Sequence, residues 1–292
     1  MKNSFSKRSQ YSGVDFFSSF TLIFLGFWVV ITIVPILHLI GLSLRSALAV
    51  GDNILYIIPR QFTLKNYVDA FPFFSSITVS LPRAFINSAI YTFSGIVGSI
   101  VIAVLASFAF ATMKFRGKKF IFTLLLLCLV MPTSAILLPE YITVGTLGLK
   151  NTMWGLILPY IAFSMSLPIL VMTSFFKQIP QELYDAAQLD GCTPFKFLYL
   201  IGLPMARPAL ATCIIWTFIN LWNEFPLALV LLVKKDMYNL PVALLSMNSA
   251  NGINPWDLIS AVMIMASIPI IITFILFQNY FIEGLTEGAL KG

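Results

Sequence analysis

The sequence predicts an all-α, polytopic membrane protein with six transmembrane helices, and three observations predict it. The first is composition: of 292 residues, 59% are hydrophobic and only 10% are charged, whereas a soluble domain carries about 25% charged residues. The second is a set of six apolar runs, at 17–44, 84–111, 119–139, 154–176, 208–233 and 257–281. Each reaches the roughly 20 residues that a helix needs to cross a hydrocarbon core about 30 Å thick. The third is the placement of lysine and arginine, which favours alternate connections. This composition excludes a soluble enzyme, a disordered chain and a nucleic-acid binder. Long apolar blocks without alternation exclude a β-barrel.

Taken in order, the first run follows Lys2, Lys7 and Arg8. It is much longer than the roughly 7–15 apolar residues of a secretory signal, so it reads as an uncleaved span after a cytoplasmic segment, 1–16. His38, near Pro35 in this run, reads as a satisfied core histidine. The connection 45–83 is the longest outer loop, and its middle, 58–64, reads as a turn followed by a short amphipathic stretch. In the second run Gly95, Ser99, Ala103, Ser107 and Ala111 recur every fourth residue, a stripe that suits close helix packing. The short basic connection between the second and third runs holds Lys114, Arg116, Lys118 and Lys119. The sixth run precedes a cytoplasmic tail, 282–292. Everything between, 17–281, reads as one membrane domain.

With the first segment inside, the inner connections hold Lys2, Lys7, Arg8, Lys114, Arg116, Lys118, Lys119, Lys177, Lys196, Arg207 and Lys291. The outer ones hold Arg45, Arg60, Lys65, Arg83, Lys150, Lys234 and Lys235. Eleven against seven places both termini in the cytoplasm, and the net charge of +6 then reflects topology rather than a polyanion partner. Three cysteines without paired spacing and a single histidine offer neither a disulfide framework nor a metal site. No catalytic residue is expected.

The longest cytoplasmic connection, 177–207, is the most structured in pattern. Pro180 suits the first position of a helix, Glu182 and Asp185 fall near its positive end, and Gly191 supplies a stop. Thr193 then reads as an N-cap, with Pro194 opening a second helix that runs to about Gly202. Helix, glycine turn and helix make a knob suited to a cleft on another protein. With Asp185 and Asp190 and no base in its first helix, the knob is a poor match for anionic lipid.

These residues resemble the EAA motif of binding-protein-dependent ABC importer permeases. The resemblance is carried by Asp185-Ala186-Ala187, Asp190-Gly191 and Ile201-Gly202-Leu203-Pro204 at the family's spacing, with Asp185 standing where the family usually has glutamate. Phe62-Thr63-Leu64-Lys65-Asn66-Tyr67, Phe85-Ile86-Asn87-Ser88, Phe115-Arg116-Gly117-Lys118 and Glu287-Gly288-Ala289-Leu290-Lys291-Gly292 are similar to the maltose-type, carbohydrate-importing branch. The resemblance implies the ABC importer permease fold in a bacterial or archaeal cytoplasmic membrane. It also implies a second permease subunit, two ATPase subunits, an extracytoplasmic solute-binding protein, and a sugar or oligosaccharide substrate. Residues 180–196 would then be the coupling element, with Glu182, Asp185, Ala186, Ala187, Asp190 and Gly191 at the ATPase contact. The chain has no phosphate loop of the Gly-x-x-x-x-Gly-Lys-Ser/Thr type. It is therefore expected to bind no cofactor itself, with ATP and Mg²⁺ used by the ATPase subunits.

A charge deep in a span defaults to function, and Glu224 is the clear case. Trp216, Asn220 and Asn223 or Glu224 share one helical face. Amide and carboxylate groups hydrogen-bond sugar hydroxyls and an indole covers the apolar face of a pyranose, so this face suits a sugar-lined path. It equally suits an interhelical hydrogen-bond cluster. Pro226 just beyond reads as a kink. The outer loop 234–256, with Asn239-Leu240-Pro241 and a polar tip at 248–252, reads either as solvated loop or as a contact for the binding protein. The competing class is a stand-alone ion-coupled transporter, which would carry more intramembrane acids and inverted repeats. An ABC permease for a non-sugar solute is the nearer alternative. A phosphorylated ligand would want arginines in the spans, and the spans have none.

Overall fold

The computed structural model describes residues 16–46, 58–59, 61–77, 80–247 and 255–289. Lys2, Lys7, Arg8, Arg60, Lys291 and the polar tip at 248–252 lie outside them. The chain divides into two compact units. One is Met1–Val68 with Trp256–Ile264; the other is Asp69–Pro255 with Met265–Gly292.

In the first unit, α1 (Phe16–Ser43) is apolar all round and exposes most of its large side chains, such as Leu22 and Ile23. His38 is only half-buried on it, not sealed in a core as expected. The last carbonyls of a helix lack intrahelical partners, and here a side chain supplies them. Asn66 Nδ2 donates to Ser43 O at 2.8 Å and to Arg45 O at 2.7 Å. Ser43 Oγ and Tyr67 OH lie 2.8 Å apart. Asn66 and Tyr67 open α2 (Lys65–Ile77). The helix thus starts just after the stretch 58–64, where amphipathic character was expected, and that stretch is tied down through a bridge between Arg45 and Phe62.

The second unit is built around α3 (Leu81–Thr112), which buries one continuous face from Leu81 to Phe110. The small-residue stripe lies on that face: Ser99, Ala103 and Ser107 are fully buried. A Cβ on Gly95 would stand 2.6 Å from Leu221 Cδ1, so a larger residue there would have to displace that side chain. α6 (Met153–Ser164) and α7 (Ser166–Phe176) form the fourth span and pack along α3.

The third run is not the straight helix expected over 119–139. α4 (Lys118–Val130) and α5 (Thr133–Thr146) meet at 109°. The cause is Pro132, which has no N–H to donate and drives Met131 into an extended conformation (φ −72°, ψ 123°).

The fifth run is corrected more strongly. α11 (Arg207–Trp222) stops at Trp222, and 226–233 does not continue it. Pro226 removes the next helical donor, Phe225 takes a non-helical conformation, and a separate short helix, α12 (Pro226–Leu231), packs back against α5 and α6. A break replaces the expected kink. The length is recovered on the other side, where 194–205 joins α11 at 80°. α13 (Leu240–Leu245) follows, and α14 (Trp256–Ala289) runs well past 281, so most of the expected tail is helical. Among the described residues, four helices are long and apolar enough to span a bilayer, and six spans result when each bent pair counts as one.

Candidate functional site

The connection between α7 and α11 is ordered throughout, and its boundaries match the expected 177–207 loop. Its first helix, α8 (Gln181–Leu189), begins one residue later than expected, with Pro180 in the N-cap position. It ends in a paired cap: Gly191 N donates to Gln188 O at 3.0 Å and Cys192 N to Ala187 O at 2.9 Å. That closure needs a left-handed residue between them, and Gly191 supplies it at φ +77°. Thr193 caps α9 (Pro194–Phe197) by accepting from Lys196 N. A π-helical turn, Leu198–Gly202, and α10 (Leu203–Met205) then lead into α11.

Aromatic packing mounts this knob on the membrane helices. Tyr184 meets Phe197 edge-on at 4.8 Å between ring centroids, and Phe108 and Phe176 close the cluster at 5.8 Å. Such edge-to-face pairs favour fixed orientations. Spacing then sorts the predicted docking residues. Tyr184 and Ala187, three apart, face the cluster, so Ala187 is partly buried against the core and is not part of the outer surface. Glu182, Asp185, Ala186, Asp190 and Gly191 are exposed. Gln181 Nε2 donates to Asp185 Oδ1 at 2.9 Å, holding that carboxylate in place. Between them stands Leu189, 89% exposed, which the sequence reading did not single out. Leu189 thus places one large apolar side chain on the exposed face of an otherwise polar helix.

Within the membrane helices a cavity of about 300 Å³ opens beside α11. Trp216, Asn220 and Glu224 line it, as do Tyr160 and Thr217; Asn223 does not. Asn223 instead caps the end of α11, its amide donating to Ile219 O at 2.8 Å. Asn220 Nδ2 likewise turns back to Trp216 O, at 2.7 Å. The lining includes one acid and no base.

Glu224 lies in the break between α11 and α12, and its carboxylate holds three donors. Oε1 accepts from Leu227 N at 2.7 Å, and Oε2 from Ala228 N at 3.1 Å and Tyr160 OH at 2.7 Å. A carboxylate at a helix start satisfies orphan N–H groups and meets the positive end of the dipole. Its backbone carbonyl accepts from Asn239 Nδ2 at 2.8 Å. Glu224 therefore joins α6, α12 and α13 while one side of it faces the cavity.

Three positions in the same network escaped the sequence reading as site residues. Asn87 Nδ2 donates to Asp236 O and Tyr238 O at 2.9 and 3.0 Å, Tyr91 OH to Met237 O at 2.9 Å, and Leu240 N to Ser88 Oγ at 2.7 Å. The segment 236–240 is thus held onto α3, and Asn239 is buried as the cap of α13. This part of the 234–256 connection is not a solvated loop. Polar residues in an apolar run, Asn87 and Ser88 above all, were the available signal.

Comparison with known proteins agrees with this architecture. Residues 95–287 match the family model described as the binding-protein-dependent transport system inner membrane component. The trehalose transport system permease protein SugB of Mycobacterium tuberculosis is 35% identical over 263 residues, covering 89% of this chain and 93% of the relative. The arabinooligosaccharides transport system permease protein AraQ of Halalkalibacterium halodurans is 35% identical over 90% of this chain and 92% of its own. The trehalose/maltose permease protein MalG of Thermococcus litoralis is 31% identical over 81% of this chain and 84% of its own. In fold, a bacterial ABC transporter structure involved in importing the acidic polysaccharide alginate superposes with a TM-score of 0.78 at 23% identity, over 96% of this chain and 100% of that one. With four to six apolar spans among its described residues, a capped knob and a family match over most of its length, this multi-pass membrane chain belongs to the binding-protein-dependent transport system inner membrane components, a permease subunit that works with other transporter components.

Proposed function

We propose that this permease imports a neutral sugar or oligosaccharide, driven by two separate ATPase subunits that grip the knob at 180–202. A second permease subunit completes the path, and an extracytoplasmic solute-binding protein delivers the substrate. The observation that carries the reading is the knob itself. Its exposed acidic helix with Leu189 at the tip stands on a rigid aromatic mount continuous with α3, α7 and α11. Force applied at Leu189, Glu182 and Asp185 passes through Tyr184 and Phe197 into the spans, so closure of the ATPases has a lever on the membrane helices. Such coupling requires contacts that differ between two states. ATP and Mg²⁺ act on the partner subunits; this chain contributes the lever and part of the path.

The relatives named for trehalose and arabinooligosaccharides support a sugar, as does a cavity that pairs the Trp216 indole with the Asn220 amide and has no base in its wall. In this reading both termini lie in the cytoplasm of a bacterial or archaeal cell. The test is purification of the tagged chain in mild detergent from its host membrane. The expected result is a second permease and an ATPase in the eluate, with the ATPase lost when Leu189→Asp is introduced. A chain that purifies alone, yet transports in vesicles without ATP, would overturn the reading.

A further inference from the structure

A second concave feature touches the 177–207 connection only at its first residue, Lys177, and shares no residue with the cavity beside α11. Between the end of α3, the turn at 113–117, the start of α4 and the last turn of α7 runs an open groove of about 620 Å³. Its apolar wall includes Phe110 and Phe122, set edge to face at 5.3 Å between centroids. Its rim carries Lys118, Lys119 and Lys177, and no acid lines it. Lys118 Nζ donates to Met113 O at 2.9 Å, and Lys177 Nζ lies 5.7 Å from the Phe122 ring centroid. Thr173, also on the lining, is 1% exposed, and its Oγ1 has no hydrogen-bond partner.

The groove sits where an apolar helix begins. Directly after Lys118-Lys119, α4 runs through Leu124, Leu127 and Val130, all largely exposed. An exposed apolar helix flank faces acyl chains, so the lysines at its start lie at headgroup level. A basic rim over an aromatic wall fits an amphiphile with an anionic head and an apolar tail. A soluble anion would leave the phenylalanines uncovered, and an apolar protein segment would leave three ammonium groups without a counter-charge.

We propose that this groove is a binding site for an anionic phospholipid. The phosphodiester lies among Lys118, Lys119 and Lys177, and the upper acyl chain lies along Phe110 and Phe122. Basic pockets between membrane helices recognise such headgroups by charge, and each lysine contributes a factor of about five to the preference for an anionic lipid. The site is independent of the knob's docking role and of the transported solute.

The test uses the purified transporter complex in phosphatidylcholine vesicles doped with phosphatidylglycerol that carries a diazirine high on one acyl chain. After photolysis, label is expected on peptides covering 110–122 and 173–177. Unlabelled phosphatidylglycerol should displace it, while phosphatidylcholine and inorganic phosphate should not. Lys118→Gln with Lys119→Gln should cut this labelling by more than about tenfold, and the double arginine variant should retain it. Lys114→Gln with Arg116→Gln removes the same charge from the same connection at two residues that do not line the groove, and should cut labelling clearly less than the Lys118/Lys119 pair does. Equal labelling by a phosphatidylcholine analogue, displacement by inorganic phosphate, or an equal loss in the Lys114/Arg116 variant would overturn the proposal. The last result would mean a diffuse surface charge in place of a built site.

Discussion

Replacing Gly191 by valine isolates the turn of the knob from everything else. The residue stands at φ +77°, and nothing lies within 4 Å of where a Cβ would be. The substitution therefore meets no clash, and its whole cost is backbone conformation. An L-residue in the left-handed region costs roughly 1–2 kcal/mol, more for a β-branched side chain. Relaxing that strain means moving Gly191 N and Cys192 N off their carbonyls, at about 1 kcal/mol for each bond lost. Either route disfavours the native turn by about 1–2 kcal/mol, or roughly 5–30-fold, and misplaces Asp190 and Leu189. Asparagine tolerates the left-handed conformation, so Gly191→Asn should change little.

The assay pairs the amount of chain in the membrane with the amount of ATPase recovered on it, and with uptake of whichever labelled sugar or oligosaccharide the wild-type transporter takes up. The expected result for Gly191→Val is unchanged membrane content with ATPase recovery and uptake reduced by about tenfold, and for Gly191→Asn near-normal values. Wild-type recovery and uptake in the valine variant would refute the idea that the left-handed turn sets the docking geometry.

Other outcomes follow from the same geometry. Glu224→Ala removes a helix cap and the partner of Tyr160 OH, and should lower stability by about 2–3 kcal/mol in thermal unfolding of the detergent-solubilised complex. Tyr160→Phe should reproduce part of that loss, and a double-mutant cycle should show the pair coupled by about 1 kcal/mol or more; strict additivity would count against the bond. Gly155→Ala forces a Cβ into Leu149 O, a backbone atom, and should cost more stability than Gly95→Ala, whose Cβ meets the movable end of Leu221. The reverse order in the same unfolding assay would refute the packing account. Cys192 is half-buried in the knob and Cys213 is buried; a membrane-impermeant maleimide should reach Cys192 in inside-out vesicles and not in right-side-out ones. The opposite pattern would invert the proposed topology.

How far the sequence was legible depends on whether the signal was local. The knob was readable almost to the residue, because proline, threonine and glycine act on their own φ and hydrogen bonds. Thr193 caps, and Gly191 turns, wherever the loop is placed. Its outward face was only partly readable. Ala187 and Ala186 look alike in sequence, and only the position of Phe108 and Phe197 decides that Ala187 turns inward and Leu189 outward. The fifth span failed for the same reason in reverse. Its residues are predominantly apolar through Val233, so a hydropathy window reads through Pro226. In the fold, Glu224 caps a new helix with the help of Tyr160, 64 residues earlier in the chain.

By itself the sequence determined that the chain lives in a bilayer, which apolar runs are candidates to cross it, and that a helical element interrupts the connection 177–207. Those follow from transfer free energies and from backbone chemistry within a few residues. Tertiary structure alone decided that Glu224 joins three helices, that Asn87, Ser88 and Tyr91 hold 236–240 onto α3, and that three lysines rim one phenylalanine-lined groove. Polar groups packed among helices favour hydrogen-bond partners, and those that Glu224 finds in Tyr160 and that Asn87 and Ser88 find in 236–240 are distant in sequence. Pattern reading names the groups that need one, and only packing says which partner each receives.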